Sequence, residues 1–524
     1  MVLWGSNARE AHPIFFHHVL KAIRRGAKLV VVDPRRTASA AWADTWLSVK
    51  IGADIALANA MAHTLIAEGL YDKAFVEAAC EGFEALKAHL AGYSPEAMAP
   101  VCGVDAETIR QVARRYAQAD RAMICWTLGI TEHHNAVDNV LSLINLGLLT
   151  GHVGRWGSGL NPLRGQNNVQ GGGDMGALPH KLPGFQDVED PVVRARYEAL
   201  WGASIPAKKG MTLTEMFEAM GVGALKGLYV LGENPAQSEA DGGHAQARLK
   251  KLDFMVVQDI VFTKTAEMAD VVLPARAAWC ESEGTVTNSE RRVQRVRRAL
   301  TGPEGARDDL EILGALAARL GHPLGPLTAE ALWDEMRTHS PMHHGMSYAR
   351  LEAEGGLQWP CPDDAHPGTP FLHGRLWERP LRSPRARLSI THDAPPVEAL
   401  TPEYPWRLTT GRRLDAYNTG VQTGPLRSPL WRETTVDMHP DDAAGAGFAD
   451  RTPVTVRSRR GAVVAPVRYD PSLPRGVVFM TFHDPDAVDT NTLTIDVTDP
   501  RSGTAEFKAA AVAIAALSHS DAAE

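Results

Sequence analysis

Short apolar runs of three to five residues, each followed by a stretch with helical spacing, dominate the first 150 positions. LVVVDP (29–34) leads, past a polar turn, into the long stretch IALANAMAHTLIAEG (55–69). Apolar runs this short and continuous match strands buried on both faces, and their alternation with helices predicts βαβ units around a parallel sheet. The 55–69 stretch is expected to be an amphipathic helix. Ten glycines between 151 and 184 break both periodicities, which predicts a long irregular loop of the kind that faces a ligand. A second α/β pattern runs from about 212 to 278, with MTLTEMFEAM (211–220) spaced as a packing helix. A mixed region reaches about 395. Then WRLTTG, TPVTVRS, GAVVAPVRY and GVVFMTF alternate with turn residues, as in a small β-barrel.

The two α/β patterns share one spacing. In VLWGSN, Gly5 ends a strand; Asp33 follows 28 residues on, Thr37 four further, and Asp44 eleven after Asp33. In YVLGENP, Gly232 ends a strand; Asp259 follows 27 residues on, Thr263 four further, and Asp270 eleven after Asp259. Glycine at a strand end lets backbone N–H groups approach a pyrophosphate, and an acid closing the next strand can bond a ribose or a base edge. Neither turn carries a full GxGxxG, so a nicotinamide site is weakly supported. Two ordinary strand–turn–helix units remain the alternative.

The fold class that follows is α/β, with two dinucleotide-binding-like parallel-sheet domains, a small mixed domain and a C-terminal barrel. The expected boundaries are 1–166, 167–278, 279–395 and 396–524. At 524 residues the chain has room for roughly three or four domains. A net charge of −8 argues against nucleic acid, and ERRVQRVRR (290–298) is only a local basic strand. No apolar run approaches the roughly 18 residues of a membrane span, so a cytoplasmic protein without membrane insertion is expected. The five cysteines are scattered, with no CxxC. Cys125 and Cys280 are expected to be inert thiols rather than metal ligands. The pairs His17–His18, His133–His134 and His343–His344 fit core or surface histidines better than zinc, since adjacent side chains point different ways.

The densest chemistry lies in NPLRGQNNVQGGGDMGALP (161–179). Glycines such as Gly165 flanking polar side chains are what a backbone pressed against a large cofactor needs. Arg164 offers a guanidinium fork suited to a small carboxylate, each charge-assisted bond contributing about 1.5–3 kcal/mol.

With RGQNNVQG and DMG, the motifs WGSNAREAHP, VVDPRRT, GENPAQSE, ADVVLP, EGTVTNSERR and LTTGRR make the chain resemble, over essentially its whole length, the catalytic alpha subunits of molybdenum or tungsten formate dehydrogenases. These belong to the bis-molybdopterin guanine dinucleotide oxidoreductases, the dimethyl sulfoxide reductase family. The resemblance implies that Gly5, Ser6, Asn7, Asp33, Gly52 and Asp54 hold one guanine nucleotide, and Gly232, Glu233, Asn234, Asp259 and Thr263 the other. It implies further that Thr410, Gly411, Arg412, Asn491 and Lys508 close over the pterins, while Arg164 orients formate and Gln166 lines the pocket. Formate would be oxidised to CO2, with electrons leaving through iron–sulfur, flavin or hydrogenase-type partner subunits.

Members of that family also carry an N-terminal [4Fe–4S] cysteine set and a metal-ligating cysteine or selenocysteine. Neither is in this chain, so the resemblance implies a missing N-terminal part, half of the second domain also missing, and no activity of these residues alone. An in-frame UGA codon upstream of Met1 is one expected origin. DAYNTG (415–420) departs from the histidine many relatives place before TG. The alternatives are a non-catalytic cofactor-fold module of a redox complex, and a related molybdopterin oxidoreductase acting on another substrate such as nitrate.

Overall fold

Hydrophobic runs too short to stand alone become strands here by pairing in parallel. The computed structural model describes residues 1–278, 280–414, 418–419 and 432–517, so most of DAYNTG lies outside the described residues. The chain forms two compact units, Met1–Leu163 with Gln237–Gln246 and Phe371–Glu524, and Arg164–Ala236 with Ala247–Pro370.

In the first unit, strands β1 (Val2–Trp4), β2 (Val30–Val32), β3 (Thr45–Leu47), β4 (Met123–Trp126) and β5 (Gly159–Pro162) form a parallel sheet in the order β3-β2-β1-β4-β5. The order reverses between β1 and β4, which places a topological switch point at the carboxyl end of β1. Val2, Leu3, Trp4 and Val30, Val31, Val32 are all buried, as continuous apolar runs require.

The helix Asp54–Ala67 forms where the spacing places it, but it is not amphipathic: Ile55 through Ala62 are all buried. Its many alanines let the helices Pro95–Cys102, Ala106–Gln118 and Ala136–Leu149 pack on several sides, so only His63, Ile66 and Ala67 near its end keep any exposure. In contrast, Ala106–Gln118 is two-faced, buries Ile109, Val112, Ala113 and Tyr116, and is capped by Asp105, which accepts from the Thr108 N–H at 2.9 Å. Six strands, Trp406–Thr410, Val436–Met438, Pro453–Arg457, Ala462–Tyr469, Val477–Met480 and Ala510–Ala516, close into a barrel, in the order first, fifth, second, fourth, third, sixth. Its core is Leu408, Val436, Met438, Val454, Val456, Ala465, Val467, Val478 and Val512.

The second unit holds a three-stranded parallel sheet, β6 (Gly227–Leu231), β7 (Phe254–Asp259) and β8 (Val271–Pro274), with β7 central. A hairpin pairs Gly284–Thr287 with Arg292–Val296, the basic strand of the sequence. The helix Leu213–Gly221 buries Phe217 and Met220 as its spacing predicts.

The glycine-rich 151–184 stretch is not a continuous irregular loop. It supplies β5 to the first sheet, a short helix at Val169–Asp174, and one strand of the Lys181–Leu182/Gln186–Asp187 pair. Asn168, at φ 59°, takes the left-handed conformation that asparagine tolerates and so turns the chain into that helix.

Candidate functional site

The repeated spacing proves to be a repeated set of hydrogen bonds. In the first unit the Gly5 N–H donates to Val32 O at 2.8 Å, binding the turn to the neighbouring strand end, and in the second the Gly232 N–H donates to Gln258 O at 2.8 Å. Both glycines are left-handed, at φ 55° and 62°. Asn7 Oδ1 accepts from Ser39 Oγ at 3.1 Å, and the Arg9 N–H donates to the same hydroxyl at 2.9 Å. Likewise Asn234 Oδ1 accepts from Thr265 Oγ1 at 2.7 Å, and the Ala236 N–H donates to that hydroxyl at 3.1 Å.

Thr37 and Thr263 each accept a backbone N–H three residues on, from Ala40 at 3.3 Å and Ala266 at 3.2 Å. Asp44 and Asp270 complete the pattern: each accepts the N–H near the start of the preceding strand, Leu29 at 2.9 Å and Met255 at 2.6 Å. The second acid of each copy is therefore a clasp between strands. Ser39 and Thr265 were missed in the sequence, although each lies two residues past a matching threonine.

The Gly5 turn sits at the switch point. Gly5 O accepts from Thr127 Oγ1 at 2.7 Å and from the Gly129 N–H at 3.2 Å. A Cβ on Gly5 would lie 2.8 Å from the Gly129 carbonyl carbon, so only glycine lets these two turns meet. Ser6 beside it is fully buried, yet its Oγ has no hydrogen-bond partner among the described residues.

Asp33, at the end of β2, is 8% exposed and accepts from the Arg35 N–H at 2.9 Å. Burial pushes its carboxyl up to about 6; Arg35 and Lys508 oppose that rise and Asp54 adds to it. The Arg35 guanidinium lies 3.6 Å over the Phe479 ring of the barrel. Asp54 is buried and accepts from the Trp4 indole at 2.8 Å, which ties the first turn of its helix to the end of β1. Gly52, at φ 82°, abuts Pro396.

The carboxyl edge of this sheet is closed by the segment preceding the last barrel strand. Glu506 is fully buried and accepts from His133 Nδ1, from His134 Nδ1 at 3.2 Å, from the His134 N–H at 3.1 Å and from the Lys508 N–H at 3.1 Å. The adjacent histidines thus converge on one carboxylate instead of pointing apart, because their partner comes from 372 residues away and no local spacing could reveal it. Burial alone would raise Glu506, but the His133 charge and the histidine hydrogen bonds hold it well below the usual carboxylate range. Burial alone would lower His133, and Glu506 overcomes that and raises it.

Lys508 Nζ reaches Glu132 at 2.6 Å and donates to Thr410 O at 3.1 Å, while Thr410 Oγ1 donates to Phe507 O at 2.7 Å. Gly411 donates to Met480 O at 3.2 Å, Arg412 is half-buried beside it, and Asn491 Nδ2 donates to Gln237 O at 2.9 Å.

In the second unit Gly232 and Glu233 are exposed, Asn234 and Asp259 are half-buried, and Thr263 is buried. Asp259 is raised by burial and accepts from the Ile260 N–H at 2.6 Å. Arg164, Gly165 and Gln166 are exposed. Arg164 Nη2 donates to Gln170 Oε1 at 3.1 Å. Cys125 is buried and its thiol pushed up to about 12 by that burial, while Cys280 is half-buried. Among the described residues the only trio with metal-ligand spacing is Asp241, His244 and Asp496, which includes no cysteine. No helix among them is long and apolar enough to cross a membrane.

Residues 1–319 match the family model for molybdopterin oxidoreductase, and residues 406–511 that for the molydopterin dinucleotide binding domain. The F420-dependent formate dehydrogenase subunit alpha of Methanocaldococcus jannaschii is 40% identical over 98% of this chain and 76% of its own. Formate dehydrogenase H of Escherichia coli is 37% identical over 100% of this chain and 73% of its own. Among solved structures, acetylene hydratase from Pelobacter acetylenicus shares the fold with a TM-score of 0.76 at 20% identity, covering 98% of this chain and 77% of that one. A parallel sheet whose switch-point turn recurs in a second sheet with the same glycine, asparagine–hydroxyl and aspartate–strand bonds, a closed barrel, and these matches along the chain together make this protein a member of the molybdopterin oxidoreductase family.

Proposed function

We propose that this chain is the catalytic part of a formate dehydrogenase, oxidising formate to CO2 with a bis-molybdopterin guanine dinucleotide cofactor. The observation that carries the reading is the duplicated glycine turn with its Asn–hydroxyl latch, since such a cofactor has two dinucleotide halves to grip. The residues present fit that group. Ser6 offers a buried hydroxyl still in need of a partner beside a turn where only glycine fits, so backbone and hydroxyl can both serve a nucleotide phosphate.

In this reading Gly5, Ser6, Asn7, Asp33, Gly52 and Asp54 serve one nucleotide. Gly232, Glu233, Asn234, Asp259 and Thr263 serve the other, with Gly165, Thr410, Gly411, Arg412, Asn491 and Lys508 toward the pterins. Asp54 acts through Trp4, to which its carboxylate is already committed. When bound, the molybdenum or tungsten centre accepts the two electrons of the formate C–H bond. The metal-ligating cysteine or selenocysteine and a [4Fe–4S] cluster are assigned outside these 524 residues, as are electron-transfer partner subunits. We place the protein in the cytoplasm, and expect these residues alone to be inactive.

Arg164 binds the formate carboxylate through two parallel N–H donors, which fixes the plane of the substrate and the direction of its C–H bond. Gln166, two residues on, lines the same pocket. The oxidation HCOO− → CO2 + H+ + 2e− removes the charge that the guanidinium holds, so the same electrostatics that retain the substrate release the product. The test is the purified holoenzyme: two GMP released per chain on acid hydrolysis, molybdenum or tungsten by mass spectrometry, and formate-dependent dye reduction that Arg164→Ala lowers by about 100-fold or more. A holoenzyme that turns over nitrate and not formate would refute the substrate assignment, and unaltered formate kinetics in Arg164→Ala would refute the role given to that arginine.

A further inference from the structure

The Arg164 guanidinium is exposed, but behind it runs a chain of hydrogen bonds into the core of the second unit. Arg164 Nη2 donates to Gln170 Oε1 at 3.1 Å, and Gln170 Nε2 donates to Asp174 Oδ1 at 2.9 Å. Gln170 and Asp174 stand four residues apart on the helix Val169–Asp174, hence on one face of it. Asp174 is 2% exposed. Its second oxygen accepts from Thr287 Oγ1 at 3.4 Å and lies 3.7 Å from Nε2 of the fully buried His343, whose Nδ1 is 2.8 Å from Ser340 Oγ. Thr287 also donates its N–H to Asn168 Oδ1 at 2.9 Å, so one strand residue pins the helix at both ends.

The polarity of this chain is the same read from either end. A glutamine amide can present either its oxygen or its nitrogen to a neighbour, and the hydrogen-bond network alone decides which. A guanidinium only donates, so Oε1 must face the arginine, and Nε2 is then the atom that donates to Asp174 Oδ1. A guanidinium is planar, and holding Nη2 therefore also sets the plane in which its other N–H groups lie.

We propose that Gln170 and Asp174 are positioning residues for Arg164: the buried carboxylate anchors the Gln170 amide, and that amide aims the guanidinium that receives the substrate carboxylate. The inference rests on the reading that Arg164 binds formate.

The test uses the holoenzyme and three variants beside Arg164→Ala. Gln170→Met keeps length and removes both hydrogen bonds at a half-buried position. Its kcat/KM for formate falls ~10- to 100-fold, mostly through KM, while bound GMP and metal stay at wild-type levels. Gln170→Glu alone sets two carboxylates against each other and shows a similar loss. Combining it with Asp174→Asn rebuilds the chain in reverse, since the introduced amide then donates to the introduced carboxylate, which in turn accepts from Arg164; kcat/KM returns to within about threefold of wild type.

An independent readout needs no turnover. Phenylglyoxal modification of Arg164, mapped by peptide mass spectrometry, speeds up several-fold in Gln170→Met and slows again in the double variant. Unchanged kinetics and an unchanged modification rate in Gln170→Met, alongside a crippled Arg164→Ala, would overturn the inference alone. A double variant no better than Gln170→Glu would do the same. Intact formate turnover in Arg164→Ala would overturn the reading that Arg164 binds formate and this inference together.

Discussion

Replacing Glu506 by glutamine isolates the linkage that closes the sheet edge. The carboxylate is fully buried and accepts from two imidazoles and two backbone N–H groups. A glutamine oxygen can keep the His134 pair, but its NH2 must then face the Lys508 N–H, leaving a buried donor unsatisfied at about 1–3 kcal/mol. In mildly acid solution a protonated His133 would also lose its counter-charge, taking the total to about 3–5 kcal/mol.

The pH dependence gives the signature. His133 is raised above its ordinary 6.5, so its contribution is fully present below that value and is lost as pH rises through the higher folded value. Glu506 is lowered, so its share is present above 4.5 and is lost only as pH falls toward its low folded value. The wild-type advantage in urea unfolding, followed by tryptophan fluorescence, should therefore be largest below the ordinary 6.5 of the imidazole and above the ordinary 4.5 of the carboxylate, and shrink to the orphan-donor term as pH rises through the higher folded value of His133. An advantage that is flat across this range, or that grows with pH, would refute the charged pair.

Three further outcomes follow from the same geometry. Asp33 titrates near 6 in the folded chain against an ordinary 3.8, so the folded state loses stability as pH rises through that value; Asp33→Asn should make the cofactor-free chain up to about 3 kcal/mol more stable at neutral pH and no different below about pH 4, by thermal or urea unfolding. The same variant should retain less guanine nucleotide in the holoenzyme, measured as released GMP, because the stability gained was withheld for the site. Ser39→Ala and Thr265→Val remove equivalent hydroxyls from equivalent latches; each should cost about 1–3 kcal/mol and lower released GMP from two to one per chain, where an effect of one variant without the other would break the equivalence.

Strand existence and direction were legible because parallel strands buried on both faces are written as unbroken apolar runs, as VVV at 30–32 shows. The duplicated Gly–Asp–Thr–Asp spacing was legible for a related reason, since each copy closes its hydrogen bonds within about 40 residues. What stayed hidden is what depends on distant partners. Alanine-rich 54–67 has too little side-chain contrast to reveal that it is enclosed on every side from Asp54 through Ala62. The 151–184 glycines concealed β5 and a helix because the bonds that order them come from elsewhere: β5 from β4, and Asn168 and Asp174 from Thr287. The convergence of His133 and His134 could not be read at all, as the acids near them in the chain are Glu132, which is committed to Lys508, and Asp138, which pairs with Arg501.

The partners of Glu132–His134 emerge from the ribosome some 370 residues later. During synthesis the first sheet can assemble on its own strands, yet its carboxyl edge stays unsealed until residues 505–508 arrive. Closure of that edge is therefore the last step the order of synthesis allows, since no earlier segment supplies the buried carboxylate that His133 and His134 share.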